Sequence, residues 1–153
     1  MKKFIDFLMV IIPSVAMAKI TTVSGPFEPE EMDTPAKEMA AHWVQEFEQG
    51  IDVSGIRPSF IIISEENEEN LSQMHERLIR AVGLAHLKTG MAIVSHTGGD
   101  SPAMAQIQLL KGLGVSPEAF VWTHAQNGTL PGYLRAAGEG AWISLDNIDG
   151  GAS

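Results

Sequence analysis

Apolar and polar positions along the chain fall into two kinds of block. Short continuous apolar runs closed by turn residues alternate with longer stretches in which apolar side chains recur every three to four positions. The first run is Lys19-Ile20-Thr21-Thr22-Val23, a β-branched strand stopped by Ser24-Gly25-Pro26, after which Pro26 to Asp33 reads as an acidic loop. Thr34 then offers an N-cap with Pro35 at the first helical position. Met39, Trp43 and Phe47 follow at spacing four beside Ala40 and Val44, so an amphipathic helix is predicted to end at Gly50. Phe60-Ile61-Ile62-Ile63 is too short for a helix and matches a strand buried on both faces in a parallel sheet.

Glu65 to Asn70 is charged and reads as an exposed loop, with Asn70 as the predicted cap of a helix running to about Thr89. Its apolar stripe uses Leu71, Met74, Leu78, Val82 and Ala85, and Gly90 stops it. Met91 to Ser95 is the next strand. The grammar then repeats: a helix from Ser101-Pro102 to Leu113, a strand from Ala119 to Thr123, a helix from near Thr129 to Ala137, and a strand from Ala141 to Leu145. Regular alternation of strand and helix predicts an α/β fold built on a parallel sheet. No repeat, low-complexity tract or long linker divides it, so residues 19–153 read as one domain.

Composition changes this picture in a few ways. With 153 residues and 44% apolar content the chain can bury one core. Ten basic against 19 acidic residues leave a formal charge of −9 without a basic cluster beyond Lys2-Lys3. Phosphate contacts require dense positive charge, so nucleic acid is set aside as a partner. The absence of cysteine excludes disulfides and thiolate chemistry, and restricts any metal to His and carboxylate ligands. Residues 1–18 combine Lys2-Lys3, an apolar run from Phe7 to Val15 and Ala16-Met17-Ala18, the pattern of an export signal. The run is too short to span a bilayer. A cleaved leader would put the protein in the periplasm or outside the cell; the alternative is that a helix and strand of the fold start here and the protein is cytoplasmic.

Candidate chemistry gathers at the strand ends. His96 closes Ala92-Ile93-Val94-Ser95 and His124 closes Phe120-Val121-Trp122-Thr123. One strand-helix-strand unit separates them, so they end neighbouring strands on one sheet edge, within reach of a common ion. The competing reading is a pair of buried structural histidines bonded to backbone carbonyls. His42, His75 and His86 sit at helical positions and read as packing or solvated residues. Asp146, Asn147 and Asp149 follow the last strand on the same edge. Counting back from His124 by alternation, Trp122 and Phe120 are expected to point into the inner layer of the sheet, with Asp146 and Ser144 doing so on the last strand. Trp122 and Asp146 are therefore candidate substrate contacts, Asp146 also a candidate helix cap. Thr97-Gly98-Gly99-Asp100 lacks the spacing of a phosphate loop and reads as a turn.

Several segments in order carry a resemblance: Gly50-Ile51-Asp52 through Gly55-Ile56-Arg57-Pro58, Leu84-Ala85-His86-Leu87-Lys88-Thr89-Gly90, Ser95-His96-Thr97, Trp122-Thr123-His124-Ala125-Gln126, and Gly140-Ala141-Trp142-Ile143-Ser144-Leu145-Asp146. Over about residues 19 to 149 the chain resembles the middle of phosphotriesterase-like proteins, a branch of the amidohydrolase superfamily. That resemblance implies part of a TIM-type (β/α)8 barrel, about five of its strands, since a full barrel takes roughly 250 residues. It also implies one or two divalent metals, usually zinc, and hydrolysis of small-molecule esters, lactones or organophosphates by metal-bound hydroxide. His96 and His124 match the family's metal ligands on its fifth and sixth strands. The chain departs from the pattern in having no His-x-His, no eighth-strand aspartate, and Ile62 where a bridging lysine is expected. Two imidazoles fall short of the three protein ligands typical of catalytic zinc. The alternatives are an impaired hydrolase and a non-catalytic homologue that binds a ligand or forms a homo-oligomer through open sheet edges.

Overall fold

The computed structural model describes residues 36–65 and 71–146. The predicted leader, the predicted Lys19–Val23 strand and Thr34-Pro35 cap, and Asn70, Asn147 and Asp149 lie outside the described residues. Four strands, β1 (Phe60–Glu65), β2 (Ala92–Thr97), β3 (Phe120–Thr123) and β4 (Trp142–Ile143), form one sheet in the order β1-β2-β3-β4. Every neighbouring pair is parallel. The helices are α1 (Ala36–Gln49), α2 (Gln73–Thr89), α3 (Asp100–Gly112) and α4 (Leu130–Glu139). The predicted last strand is short as a formal ladder, but its pairing continues: Ser144 N–H donates to the Trp122 carbonyl at 2.8 Å, and Ala125 N–H to the Ser144 carbonyl at 3.1 Å.

Local chemistry sets the helix ends. Ser72, rather than Asn70, caps α2: its hydroxyl accepts from the His75 N–H, satisfying a donor that has no partner inside the first turn. At the other end Gly90 adopts φ 74° and its N–H returns to the His86 carbonyl. Thr129 caps α4 in the same way, accepting from Gly132 N–H. Helix α1 buries Ala40 and Trp43, with Met39, Val44 and Phe47 against the same core, and packs on α2. Among the described residues no helix is long and apolar enough to cross a membrane.

Strand pairing sorts the side chains onto two faces. Ile61, Ile63, Ile93, Ser95, Thr97, Phe120 and Trp122 are buried and face the helix layer. Ser95, for example, donates its hydroxyl to Gln106 of α3 at 2.6 Å. Phe60, Ile62, Ala92, Val94, His96, Val121 and Trp142 occupy the alternate positions, and Phe60 and Trp142 are 37% and 44% exposed. The expectation that Phe60–Ile63 is covered on both faces is thus corrected: helices cover one face, and among the described residues no layer covers the other. A continuous apolar run fits a strand that is intended for two covered faces, which is why the pattern alone pointed there.

Candidate metal centre

His96 is the penultimate residue of β2, on the open face of the sheet, opposite Ser64 on one side and Thr123 on the other. His124 follows β3 directly and takes φ 58°, ψ 31°, the left-handed region that side chains other than glycine's rarely occupy. That one residue breaks the alternation of the strand and swings its ring toward His96. The ring centroids are 4.5 Å apart at an interplanar angle of 79°, and His124 Nε2 lies 3.2 Å from His96 Nδ1. His124 Nδ1 is 2.9 Å from Asp146 Oδ1, which also accepts from Gln126 Nε2 at 3.2 Å. The result is a row, Asp146, His124, His96, along the carboxyl edge of three adjacent strands.

The left-handed residue also corrects an orientation inferred from the sequence. Because His124 leaves the pleat, Trp122 and Phe120 do not share its face; both lie on the helix side, fully buried. Trp122 packs edge-on to Tyr133 of α4, centroids 6.2 Å apart, and its indole N–H donates to the Thr97 carbonyl at 3.0 Å. It supports the edge from beneath. Asp146 is brought to the centre, as a partner of His124.

Chemically the row resolves into one tautomer pattern. A carboxylate accepts only, so His124 Nδ1 carries the proton and donates to Asp146, leaving the Nε2 lone pair turned to His96 Nδ1. Two donors bound to one ion at about 2.0–2.1 Å and a tetrahedral angle stand roughly 3.3–3.4 Å apart. The observed 3.2 Å fits a shared cation with little movement. Asp146 then stands where an outer carboxylate orients a ligating imidazole. Among the described residues no cluster of three or more His, Cys, Asp or Glu side chains is arranged to hold a metal. Ile62, paired with Val94 on the same face as His96, offers no donor atom.

The other histidines are engaged elsewhere, as expected. His86 Nδ1–H donates to the Met91 carbonyl at 2.8 Å, His75 Nδ1 meets the Ser72 hydroxyl at 2.9 Å, and His42 pairs with Glu46 at 3.4 Å. Of the stretch Thr97-Gly98-Gly99-Asp100 read as a turn, only Gly98 and Gly99 connect the elements: Thr97 ends β2 and Asp100 opens α3, from where it reaches across to Thr129, a contact sequence reasoning missed. Gln126 was missed too, although it stands inside the Trp122–Gln126 segment; its distance of two residues from His124 was the available signal.

Burial disfavours the charged form of His96 and the nearby His124 adds to this, so its pKa is lowered from 6.5 although Asp146 pulls the other way. For Asp146, burial raises the pKa, but the hydrogen bonds from His124 and Gln126 outweigh it and the net direction is down. A histidine whose folded pKa is depressed contributes stability that is present above the unfolded value and lost as pH falls through it. Chelator-treated protein is therefore expected to lose urea resistance on going from pH 7 to below 6.5, and to lose less of it as His96→Asn. An identical drop in the two proteins would assign the pH dependence to other groups.

Known proteins share this sequence pattern and this fold. The sequence model of the Phosphotriesterase family matches residues 15–151. The "Phosphotriesterase homology protein" of Escherichia coli (strain K12) is 30% identical over 124 residues, covering 80% of this chain and 42% of that protein. A crystal structure of the E. coli phosphotriesterase homology protein, with phosphate in its active site, superposes with a TM-score of 0.72 at 28% identity, again over 80% of this chain and 42% of the other. The chain thus spans less than half the length of the relatives it matches, and its four parallel strands with flanking helices correspond to part of their barrel.

Proposed function

Since the chain belongs to the phosphotriesterase family, we propose that it takes part in metal-dependent hydrolysis of small esters, lactones or phosphotriesters, with His96 and His124 as ligands to a divalent cation, zinc by preference. The observation that carries this reading is the 3.2 Å separation of His96 Nδ1 and His124 Nε2, close to that of two donors on one tetrahedral ion. Neutral imidazole suits zinc, and burial, which lowers the pKa of His96, favours its uncharged ring. When bound, such an ion lowers the pKa of a coordinated water and polarises the ester oxygen.

The chain's own residues supply the rest of the arrangement. Asp146 holds the His124 ring with its Nε2 outward, and Gln126 steadies Asp146 by donating to the same oxygen. Thr123 donates its hydroxyl to the Ser95 carbonyl at 2.7 Å, locking the ends of β2 and β3 in register under the two rings. The open face beside His96, lined by Ile62, Val94 and Val121, presents an apolar bed for the non-reacting part of an ester. The phosphate in the active site of the E. coli relative supports a phosphorus-centred ester among these substrates.

A second reading rests on Ile62. An apolar side chain faces the position from which a bridging ligand would come, which favours a binding module that has kept two imidazoles without turnover. One experiment separates the two: elemental analysis of the purified full chain, then hydrolysis assays on a phosphotriester and a γ-lactone with added zinc and with chelator. Bound metal with chelator-sensitive turnover is the expected result. Metal without turnover favours the binding reading, and neither metal nor turnover overturns the proposed hydrolase.

A further inference from the structure

The connections that follow β2 and β3, just past His96 and from His124 on, are joined by one carboxylate. Asp100, four residues past His96, accepts from the Thr129 N–H at 2.8 Å through Oδ1 and from the Thr129 hydroxyl at 2.5 Å through Oδ2, five residues past His124. The Thr129 hydroxyl in turn accepts from Gly132 N–H at 3.2 Å. The carboxylate lies so close to α4 that a Cβ on Gly132 would overlap it, and one on Gly128 would meet both Asp100 and the Trp122 ring. Two glycines therefore leave the room that the carboxylate fills. A carboxylate at the start of α3 that accepts from the residue capping α4 does more than support a helix end: it fixes the distance between two turns.

We propose that Asp100 is a positioning residue for the imidazole pair, holding the turn after His96 against the turn after His124 so that Nδ1 and Nε2 stay at the spacing one cation requires. This rests on the reading of His96 and His124 as ligands to one cation. A clamp at this place matters because two imidazoles alone bind weakly, and ligands left loose by even an ångström lose much of their joint affinity. The carboxylate acts on the rings only through the backbone of the two turns, with no contact to the cation.

The test uses the full chain, zinc titrated against a competing chelator, and the variants Asp100→Ala, Gly132→Ala, their combination, and Thr89→Val. Thr89 bonds Ala85 and Met91 at the opposite sheet edge, so its replacement lowers stability without touching the clamp. Asp100→Ala and Gly132→Ala are each expected to weaken zinc about tenfold, in the range seen when supporting residues of metal sites are removed. Adding Gly132→Ala to Asp100→Ala is expected to change nothing more, because the carboxylate that the new Cβ would displace is gone. Thr89→Val should bind zinc as the parent does. Equal affinity in all five proteins, or a loss in Thr89→Val matching that in Asp100→Ala, would overturn the proposal. Should the parent bind no zinc, the shared-cation reading fails, and the imidazole nitrogen spectra of the metal-free proteins decide the clamp itself. Shifts of the His96 and His124 signals in Asp100→Ala and Gly132→Ala, absent in Thr89→Val, uphold it; unchanged signals sink it.

Discussion

Trp122→Ala is expected to cost about 3–5 kcal/mol of folding stability, the range for removing a large aromatic side chain from a packed core. Trp122 is fully buried where β3 meets α4, edge-on to Tyr133 and against Gly128. Removing it leaves a cavity among groups that close under the histidine edge, and strands the Thr97 carbonyl that accepts its N–H. Trp122→Phe keeps most of the volume and loses that hydrogen bond, so about 1–3 kcal/mol is expected, the cost of a buried acceptor left unpaired. Urea unfolding at pH 7 measures both. If Trp122→Ala unfolded within 1 kcal/mol of the parent, the packing described for this side of the sheet would be incorrect.

The second large effect is on metal content. His96→Ala combined with His124→Ala is expected to remove all zinc that survives dialysis against the parent protein, while the far-ultraviolet dichroism stays unchanged. Both rings stand at the edge of the sheet rather than in its packed layer: His96 is half-buried and the His124 side chain is 40% exposed. Their loss therefore opens no core cavity. The single variants divide the effect: His124→Ala also frees Asp146 of its imidazole partner, whereas His96→Ala leaves that pair intact. Retention of zinc in the double variant would place the metal elsewhere in the chain.

Both predictions depend on features of unequal visibility in the sequence. The strand-helix grammar of residues 36–146 was legible because buried strands and amphipathic helices have different apolar periods, and the four described strands fall where the runs lie. The pairing of His96 with His124 was legible because equivalent strand ends in a parallel sheet share an edge. The facing of Trp122 was not. Alternation holds only while every residue is extended, and nothing in the run Phe120–His124 announces a left-handed residue at its end. The role of Asp100 was hidden for a different reason: its partner Thr129 is 29 positions away, on another turn, and a hydrogen bond across that separation leaves no local pattern. Nor does a continuous apolar run say whether one face or two will find a cover, as Phe60 and Trp142 illustrate.

The backbone at His124 has one more implication, for what can and cannot be improved. At φ 58° an L-residue gives up of order 1–3 kcal/mol, and glycine would relieve it. A library screened only for thermal resistance is therefore drawn toward glycine at this position, and each molecule that follows the pull discards an imidazole in the row it shares with Asp146 and His96. Heat tolerance and cation capture compete for a single torsion angle. Any effort to harden this protein has to hold residue 124 fixed and seek its gains where fold and chemistry do not contend.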